Sequence, residues 1–346
     1  IEARDTAPRE REDDAGSPIP LVERFPRLAR VGRRSFGAYP TPVMSVDLRG
    51  VRAPMWIKRD DLDARGLPGL QFAGGNKLRA LEFLLAPVAA GDTVLALGGE
   101  GSTHVLATVA LAHAIGARVV AIRWPQDMNP VARRVADRVA ALADEDRPAR
   151  SVASALGWAW WRSRSPRVHR LPPGGASPLG MLGAVNAALE LAGQVAVGEL
   201  ERPARVVLPL GTGATAAGLA LGFALAGLGA RVVGVRVTPR VVANRWHVRR
   251  LAGRCARLIA RVTGRPVALP AGTAVEVDIL HGWYGGAYGR ALPAARAAQD
   301  ELERTTGLTL DDTYGAKAFA AALELARTRD GPTLFWRTFD PRSLDS

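Results

Sequence analysis

One lysine in this sequence stands where its side-chain amine could react with a carbonyl group. Lys77 ends the run Gly74-Gly75-Asn76-Lys77, directly before an apolar helical run at 78–90. Paired glycines let the backbone approach a ligand closely, and a lysine in the first turn of a helix lies in the partial positive charge of the helix N-terminus. That field should lower the pKa of the amine and favour formation of a Schiff base. The alternative is an ordinary surface lysine after a turn.

Lysine is scarce in this chain, which makes each one informative. Only three of the 46 basic residues are lysines, namely Lys58, Lys77 and Lys317, and the others are arginines. Because arginine stays charged in proteins, it cannot replace a lysine that must act as a neutral amine. The scarcity therefore points to amine chemistry at one of the three, although chance retention would give the same count.

A second motif has the form of a phosphate site. The turn Gly211-Thr212-Gly213-Ala214-Thr215 lies between an apolar strand at 204–210 and a helix at 216–226. Such a turn offers backbone N–H groups and the positive end of a helix dipole to a phosphate. The spacing matches neither the P-loop nor the dinucleotide fingerprint. A plain strand-to-helix turn is the alternative.

The third motif, Gly98 to His104, also joins a strand to a helix. Ser102, Thr103 and His104, with the free N–H groups of the helix, are predicted to hold a substrate carboxylate. Helix capping by Ser102 or Thr103 is the alternative.

Two tyrosines are flanked by glycines, Tyr288 within 284–289 and Tyr314 within 311–317. A tyrosine can act as an acid or base when its surroundings adjust its pKa. Taken one at a time, each tyrosine is also explained by packing.

The middle of the chain predicts the elements that position these motifs. Continuous apolar runs at 93–99, 117–124, 204–211 and 230–237 are typical of strands buried on both faces, and Ala/Leu-rich helices separate them. The fold class is therefore predicted as α/β with doubly wound parallel sheets. A length of 346 residues suits two such domains.

Composition argues against several other classes of protein. The net charge is +13, but the arginines are scattered, so no nucleic-acid partner is predicted. One cysteine, Cys255, forbids a disulfide within the chain and a site of several thiolates, and no metal is predicted. The uncharged stretch 206–230 could span a bilayer by length, but it divides into strand, turn and helix, so no membrane is predicted. Residues 1–17 lack the apolar core of a signal peptide, and a cytoplasmic location is expected.

Eight motifs occur in a specific order along most of the chain. They are YPTP (39–42), IKRDD (57–61), GGNK (74–77), GGEGSTH (98–104), PGGASPLG (173–180), GTGAT (211–215), YGGAYG (284–289) and DDTYGAKA (311–318). In this order the chain resembles the aminocyclopropane-carboxylate deaminase and D-cysteine desulfhydrase family, over residues 39–320. That family belongs to the fold type II, tryptophan-synthase-β-like enzymes that use pyridoxal 5′-phosphate (PLP).

The resemblance implies a role for each motif. Lys77 matches the lysine that carries PLP, and 211–215 match the phosphate cup. Ser102 matches a serine that helps to transfer protons, while Tyr288 and Tyr314 match two tyrosines over the cofactor. The substrate implied is a small amino acid.

The resemblance also implies a domain plan and a homodimer. Residues 85–185 would form a small domain inserted into a large PLP-binding domain of 36–84 and 186–346, with the cofactor in the cleft between them. Residues 1–35 are predicted as a leader, and the charged stretch 1–17 within it is expected to be disordered.

Three positions depart from the family pattern. Thr103 replaces an asparagine that binds the PLP hydroxyl oxygen, and Gly315 replaces a glutamate that lies beside the pyridine nitrogen in deaminases. At the end, RTFD (337–340) replaces His-Thr-Gly-Gly, which keeps Thr338 as a neutral partner for that nitrogen. Phe339 and Asp340 should crowd the site or redirect the chain.

Loss of the glutamate bears on the reaction. A neutral partner makes PLP a weaker electron sink, which suits β-elimination better than cyclopropane opening. A D-cysteine desulfhydrase-like elimination, giving a keto acid and ammonia, is therefore predicted. The alternatives are a PLP-binding protein with little or no lyase activity that serves as a partner or regulator, and another PLP reaction such as racemisation or β-replacement.

Overall fold

A computed structural model describes residues 19–270, 275–286 and 289–345. The strands in these ranges are β1 (Val43–Val46), β2 (Met55–Arg59), β3 (Thr93–Gly99), β4 (Arg118–Trp124), β5 (Glu145–Pro148), β6 (Val168–Leu171), β7 (Arg205–Leu210), β8 (Arg231–Arg236), β9 (Val277–Leu280) and β10 (Thr333–Arg337). The α-helices are α1 (Pro20–Arg24), α2 (Asn76–Leu84), α3 (Thr103–Ala114), α4 (Pro130–Leu142), α5 (Val152–Arg162), α6 (Pro178–Ala196), α7 (Ala214–Ala226), α8 (Arg245–Thr263), α9 (Pro293–Thr306) and α10 (Gly315–Thr328).

The larger sheet has six strands in the order β1-β2-β10-β7-β8-β9. All neighbours are parallel except β1 and β2, which are antiparallel. Side chains alternate along β7, so Val206 and Leu208 face the α6, α7 and α8 layer while Val207 faces α9 and α10. A strand covered by helices on both faces needs apolar residues at every position, which explains its continuous apolar run.

The smaller sheet has four parallel strands in the order β5-β4-β3-β6. Along β3, Val94 faces a core that includes α3, whereas Leu95 faces α5. Both sheets are therefore doubly wound, and the predicted fold class is confirmed. The predicted insertion, 85–185, contains all four strands of this sheet, and its boundaries stay a prediction.

The second half of the predicted leader is folded. Residues 20–24 form α1 and 26–31 form a 3₁₀ helix, and Leu21 and Leu28 are buried in the core of the larger sheet. This part of 1–35 is folded rather than disordered, while 1–18 lie outside the described residues.

The two apolar stretches that are long enough to raise the question of a membrane, 206–230 and α6, are parts of the protein core. The uncharged stretch 206–230 forms β7, a turn and the 13-residue α7, as the sequence predicts. In the described part of the chain, α6 alone is long and apolar enough to cross a membrane, but 67% of it is buried within the protein. It packs against α7 through small residues, since a Cβ on Gly218 would lie 2.6 Å from Ala184. By its burial, α6 is a core helix.

A buried ionic network fixes the helix that carries Lys77. Arg79, two residues further along α2, pairs with Asp60 at 2.8 Å and with Glu190 of α6 at 2.9 Å. Glu190 also pairs with Lys58 of β2 at 2.6 Å, and all four side chains are almost fully buried. The indole of Trp336 donates to Asp60 at 2.7 Å. Such a network ties α2 to the larger sheet and to α6 at the same time.

Removal of one charge from this network should be costly. We expect Glu190→Gln to destabilise the fold by about 3–5 kcal/mol, because the charge of Lys58 would remain buried without a carboxylate and Arg79 would keep only Asp60. Urea unfolding measures the change. Asp330→Ala breaks an ion pair whose carboxylate is 96% exposed and should cost about 0–1 kcal/mol. Equal costs for the two variants would contradict this role of the network.

The same carboxylate should give the stability a pH dependence. Burial alone raises the pKa of Glu190, but the charges of Arg79 and Lys58 outweigh it and lower the pKa to about 2. A depressed pKa stabilises the fold above the ordinary glutamate pKa, and the contribution is lost as the pH falls towards 2. We expect a shallower acid limb of unfolding free energy against pH in Glu190→Gln, and an unchanged limb would argue against it.

Candidate active site

Three helices that carry the predicted motifs begin without a side-chain cap. They are α2 after Gly75, α3 after Ser102 and α7 after Gly213. Four other helices are capped by an Asn or Ser side chain, namely Asn129, Ser151, Ser177 and Asn244, whereas α1 and α9 are uncapped like the three motif helices. At the start of α2, the amides of Gly75 and Asn76 donate to Asp63 and to the carbonyl of Thr338. The first amides of α3 and α7 have no side-chain cap, so their positive ends can receive an anion.

The lysine motif and the phosphate motif lie together. The side-chain amide of Asn76 donates to the hydroxyl of Thr215 at 2.8 Å, across 139 residues of sequence. The turn at Gly174 closes against the same motif, since a Cβ on Gly174 would lie 2.8 Å from Thr212. The starts of α2 and α7 therefore share one site, as the prediction for Lys77 requires.

Lys77 differs from the other two lysines in its surroundings. It is half-buried, and burial lowers the pKa of its amine to about 8. Within the described residues, no hydrogen bond or ion pair engages that amine. Lys58 and Lys317 are fully buried, and each ammonium is held, by Glu190 and by the carbonyl of Tyr284. Lys77 is thus the lysine whose amine is available for chemistry.

The phosphate motif has the shape of an open cradle. Gly213 takes a left-handed conformation with φ of 85°, and a Cβ there would lie 3.1 Å from Val248. Gly211 faces open space, and its carbonyl accepts a bond from Thr238 at 3.1 Å. Because Gly213 brings no side chain, the first amides of α7 are left for a ligand.

Ser102, Thr103 and His104 lie together at the start of α3. Ser102 precedes the helix, but its hydroxyl makes no cap bond, so capping does not explain this residue. His104 is buried, and neither ring nitrogen makes a well-aligned hydrogen bond within the described residues. Burial, with the nearby charge of Lys77, lowers its pKa to about 3. A neutral imidazole without a well-aligned partner, near a free amine, is typical of a binding site rather than of a core.

The tyrosine motifs are described only in part. Tyr314 precedes α10, and its amide donates to Asp311 at 2.7 Å. Burial raises the pKa of its hydroxyl, so the group stays protonated at neutral pH and can donate a hydrogen bond. Tyr288 lies outside the described residues. Tyr284, at the start of the same loop, stacks beneath Arg236 at 4.6 Å.

The departures at 315 and 337–340 are accommodated by local contacts. The amide of Gly315 donates to Asp311 at 2.9 Å, and a Cβ at 315 would meet that carboxylate at the same distance. The carbonyl of Thr338 accepts from the amide of Asn76 at 3.2 Å. Phe339 packs in the apolar core of α2 and α3, and Asp340 pairs with Arg337 at 3.1 Å.

Two residues that hold the lysine motif were missed by the sequence reasoning. Asp63 is buried and accepts from the amide of Gly75 at 2.7 Å. Burial and the neighbouring Asp60 raise its pKa. Asn76, which bonds Thr215, stands inside a motif that the sequence did single out, whereas nothing local distinguishes Asp63 from the acidic residues before it.

Comparison with known proteins decides the family. A family model described as pyridoxal-phosphate dependent enzyme matches residues 34–334. This chain belongs to that family of PLP-dependent enzymes. Its predicted cofactor and its predicted resemblance are both confirmed.

Three curated relatives cover almost all of the chain. Nocardicin C-9′ epimerase of Nocardia uniformis subsp. tsuyamanensis is 36% identical over 88% of this chain and 91% of its own length. D-cysteine desulfhydrase of Salmonella paratyphi C is 29% identical, covering 93% and 96%. A putative 1-aminocyclopropane-1-carboxylate deaminase of Pyrococcus abyssi is 28% identical, covering 90% and 89%.

Solved structures agree with the fold. A structure described as an ACC deaminase homologue aligns with a TM-score of 0.73 at 27% identity, covering 92% of this chain and 94% of that one. The processed form of threonine deaminase isoform 2 from Solanum lycopersicum aligns with a TM-score of 0.58 at 14% identity, covering 92% and 84%, and supports the fold alone.

The described residues fit PLP. An unengaged amine at Lys77, an uncapped glycine cradle at 211–215 and the buried imidazole of His104 are the groups that an aldehyde phosphate would use. Lys77 would hold the aldehyde and 211–215 the phosphate.

The amine of Lys77 should be distinguishable by titration. We expect an amine-reactive acetylating reagent to label Lys77 in the cofactor-free protein with a pH midpoint near 8, because its pKa is lowered. Peptide mass spectrometry of this three-lysine chain reads each site. Lys58 and Lys317, which are fully buried, serve as internal controls and should stay unlabelled until unfolding. A midpoint above 10 would refute the assignment.

The hydroxyl of Thr215 should contribute to cofactor retention. We expect Thr215→Val to raise the dissociation constant for PLP roughly 2- to 12-fold, the effect of losing one hydrogen bond of about 0.5–1.5 kcal/mol. Equilibrium dialysis measures the constant. Thr328→Val, which alters a hydroxyl bonded within α10, should leave it unchanged. Equal dissociation constants for the two variants would contradict the assignment of 211–215 as the phosphate site.

Proposed function

We propose that this chain removes the α-proton of a small amino acid and expels its β-substituent, giving a keto acid and ammonia as D-cysteine desulfhydrases do. The observation that carries the proposal is the bond of Asn76 to Thr215, which sets a lysine amine of pKa about 8 beside a phosphate cradle. When bound, PLP draws electrons from the α-carbon of an attached amino acid.

Lys77 is proposed as the group that moves the α-proton. An amine with a pKa of about 8 is partly neutral at physiological pH, so its Nζ can accept a proton without a further activating group. His104 stays neutral beside it, because a second positive charge in this buried place is unfavourable. His104 is therefore not proposed as a second proton-transfer group.

The start of α3 is proposed to hold the substrate. Ser102, Thr103 and His104 present hydroxyl, amide and imidazole groups at an uncapped helix N-terminus, which suits a carboxylate. Ser102, whose hydroxyl does not cap α3, would also relay a proton at its Oγ. Holding both ends of an amino acid fixes the α-carbon against Lys77.

Tyr314 is proposed as the acid that assists the leaving group. Its hydroxyl carries its proton at neutral pH and can donate a hydrogen bond to the leaving group, whereas the raised pKa argues against a role as a base. Tyr288 has the same proposed role, from a motif that lies partly outside the described residues. Thr338 is the proposed neutral partner of the pyridine nitrogen, because Gly315 carries no side chain.

Epimerisation is the second candidate, and the nocardicin C-9′ epimerase relative favours it. Both reactions begin with removal of the α-proton. An epimerase must return a proton to the other face of the same carbon, and Ser102 is the described side chain proposed for that step. Elimination requires instead a substituent that leaves from the β-carbon.

A homodimer and a cytoplasmic location complete the proposal. They rest on the family resemblance and on the composition of the chain. Within the described residues, no group of three His, Cys, Asp or Glu side chains forms a metal site.

Product analysis should separate the two candidates. We expect the PLP-loaded protein to release keto acid and ammonia from D-cysteine or β-chloroalanine, and Lys77→Ala to lose this activity by at least about 10³-fold. Incubation of D- and L-serine in deuterated water, followed by chiral chromatography, reports α-exchange and inversion. Deuterated, inverted serine without keto acid would establish the epimerase. Failure of both assays, with cofactor retained, would refute the proposed function.

A further inference from the structure

Asn129 occupies a junction between the two sheets. It precedes α4, which packs on the four-stranded sheet through Val135 and Val139. Its side-chain oxygen caps α4 by accepting from the amide of Ala132 at 2.8 Å. Its side-chain nitrogen points the other way, towards segments that belong with the six-stranded sheet.

The nitrogen of Asn129 reaches both tyrosine motifs. It donates to the hydroxyl of Thr313 at 2.7 Å and more weakly to the carbonyl of Gly289 at 3.4 Å. Thr313 and Gly289 are buried. Thr313 directly precedes Tyr314 in the chain, and Gly289 directly follows Tyr288. A single amide group thus touches the neighbour of each proposed acid.

Other caps in this chain do not need that nitrogen. Ser151 and Ser177 cap α5 and α6 with a hydroxyl alone. Serine and asparagine are about equally good caps, so capping does not require an asparagine at 129. What distinguishes Asn129 from a serine cap is its side-chain N–H group, which donates to Thr313 and so links α4 to the start of α10.

Two arginines of α4 also bond to a segment that follows the six-stranded sheet. The guanidinium of Arg138 donates to the carbonyl of Leu344 at 2.7 Å, and Arg134 pairs with Asp345 at 2.5 Å. Both partners lie in the final 3₁₀ helix, Pro341–Asp345, directly after the 337–340 segment. One end of α4 therefore meets the tyrosine motifs, and the body of the helix meets the end of the chain.

We infer that Asn129 is a positioning residue, which fixes Thr313, the residue directly before the proposed acid Tyr314, through its side-chain bond. The inference rests on the proposed function for the roles of the tyrosines. Loss of the bond leaves Lys77 and the phosphate cradle untouched, so cofactor retention is unaffected while turnover falls.

A double-mutant cycle tests this bond. Asn129→Ser keeps the cap but is too short to reach Thr313, and Thr313→Val removes the partner hydroxyl while keeping the shape. We expect each to lower kcat roughly 3- to 10-fold with KM nearly unchanged, and the double variant to be no worse than the more severe single variant. Thr313→Ser, which keeps the hydroxyl, should restore near-normal turnover. Ser151→Ala removes a cap from α5 and controls for loss of stability.

Hydrogen exchange gives a readout that does not depend on turnover. The amides of 284–286 and 313–315 should exchange faster in Asn129→Ser and in Thr313→Val than in the unaltered protein, and not in Ser151→Ala. Unchanged exchange, additive losses of kcat or an equal loss in Ser151→Ala would overturn the inference. An inactive unaltered protein would refute the proposed function instead, and the exchange rates would still decide the role of Asn129.

Discussion

Three sets of contacts fix the first turn of α2, and the position of the Lys77 amine depends on them. Arg79 is locked between Asp60 and Glu190 in the protein interior. Asp63 holds the amide of Gly75, and Thr215 receives the side chain of Asn76. A buried network of this kind is weak evidence for high stability, because desolvation offsets much of the attraction. The main effect of the network is on geometry, because it fixes the orientation of α2 against β2, α6 and α7.

The uncapped helix ends show how the fold accommodates a ligand. A cap contributes about 1 kcal/mol to a typical helix, and α3 and α7 lack one at the starts that carry the predicted ligand motifs. A phosphate or carboxylate bound there makes the missing bonds, and anything that binds only the native state also stabilises it. The cofactor is therefore expected to act partly as a structural element of the large domain.

The sequence predicts what is local in the chain. The run 93–99 forms β3 within those limits, because an apolar stretch ending in glycines leaves little choice. Lys77 and the 211–215 turn were found because glycine before a helix is a local signal. By contrast, β5 is a polar, exposed strand, EDRP, at a sheet edge, and no hydrophobic pattern marks it. The folded second half of 1–35 was missed because its apolar run at 19–22 is too short to show a helical period.

Contacts between distant residues were beyond such reasoning. Asn129 and Thr313 are 184 residues apart, and their bond exists only because the sheets bring α4 beside the start of α10. Asp63 has the same character, because its role depends on how the 3₁₀ helix at 60–66 folds against Gly75. Type and spacing name the reacting group, whereas the side chains that hold it in place are set by the tertiary fold.

The burial of Lys58 and Lys317 limits the side reactions of the cofactor aldehyde with this protein. An aldehyde condenses readily with neutral amines, and an ordinary protein surface offers it many lysines. Here the positive charge of the surface is carried by arginine guanidinium groups, and every lysine of the chain except Lys77 is fully buried. A free aldehyde that meets this protein therefore finds one lysine to condense with, so adventitious adducts on surface lysines cannot compete with loading of the cleft.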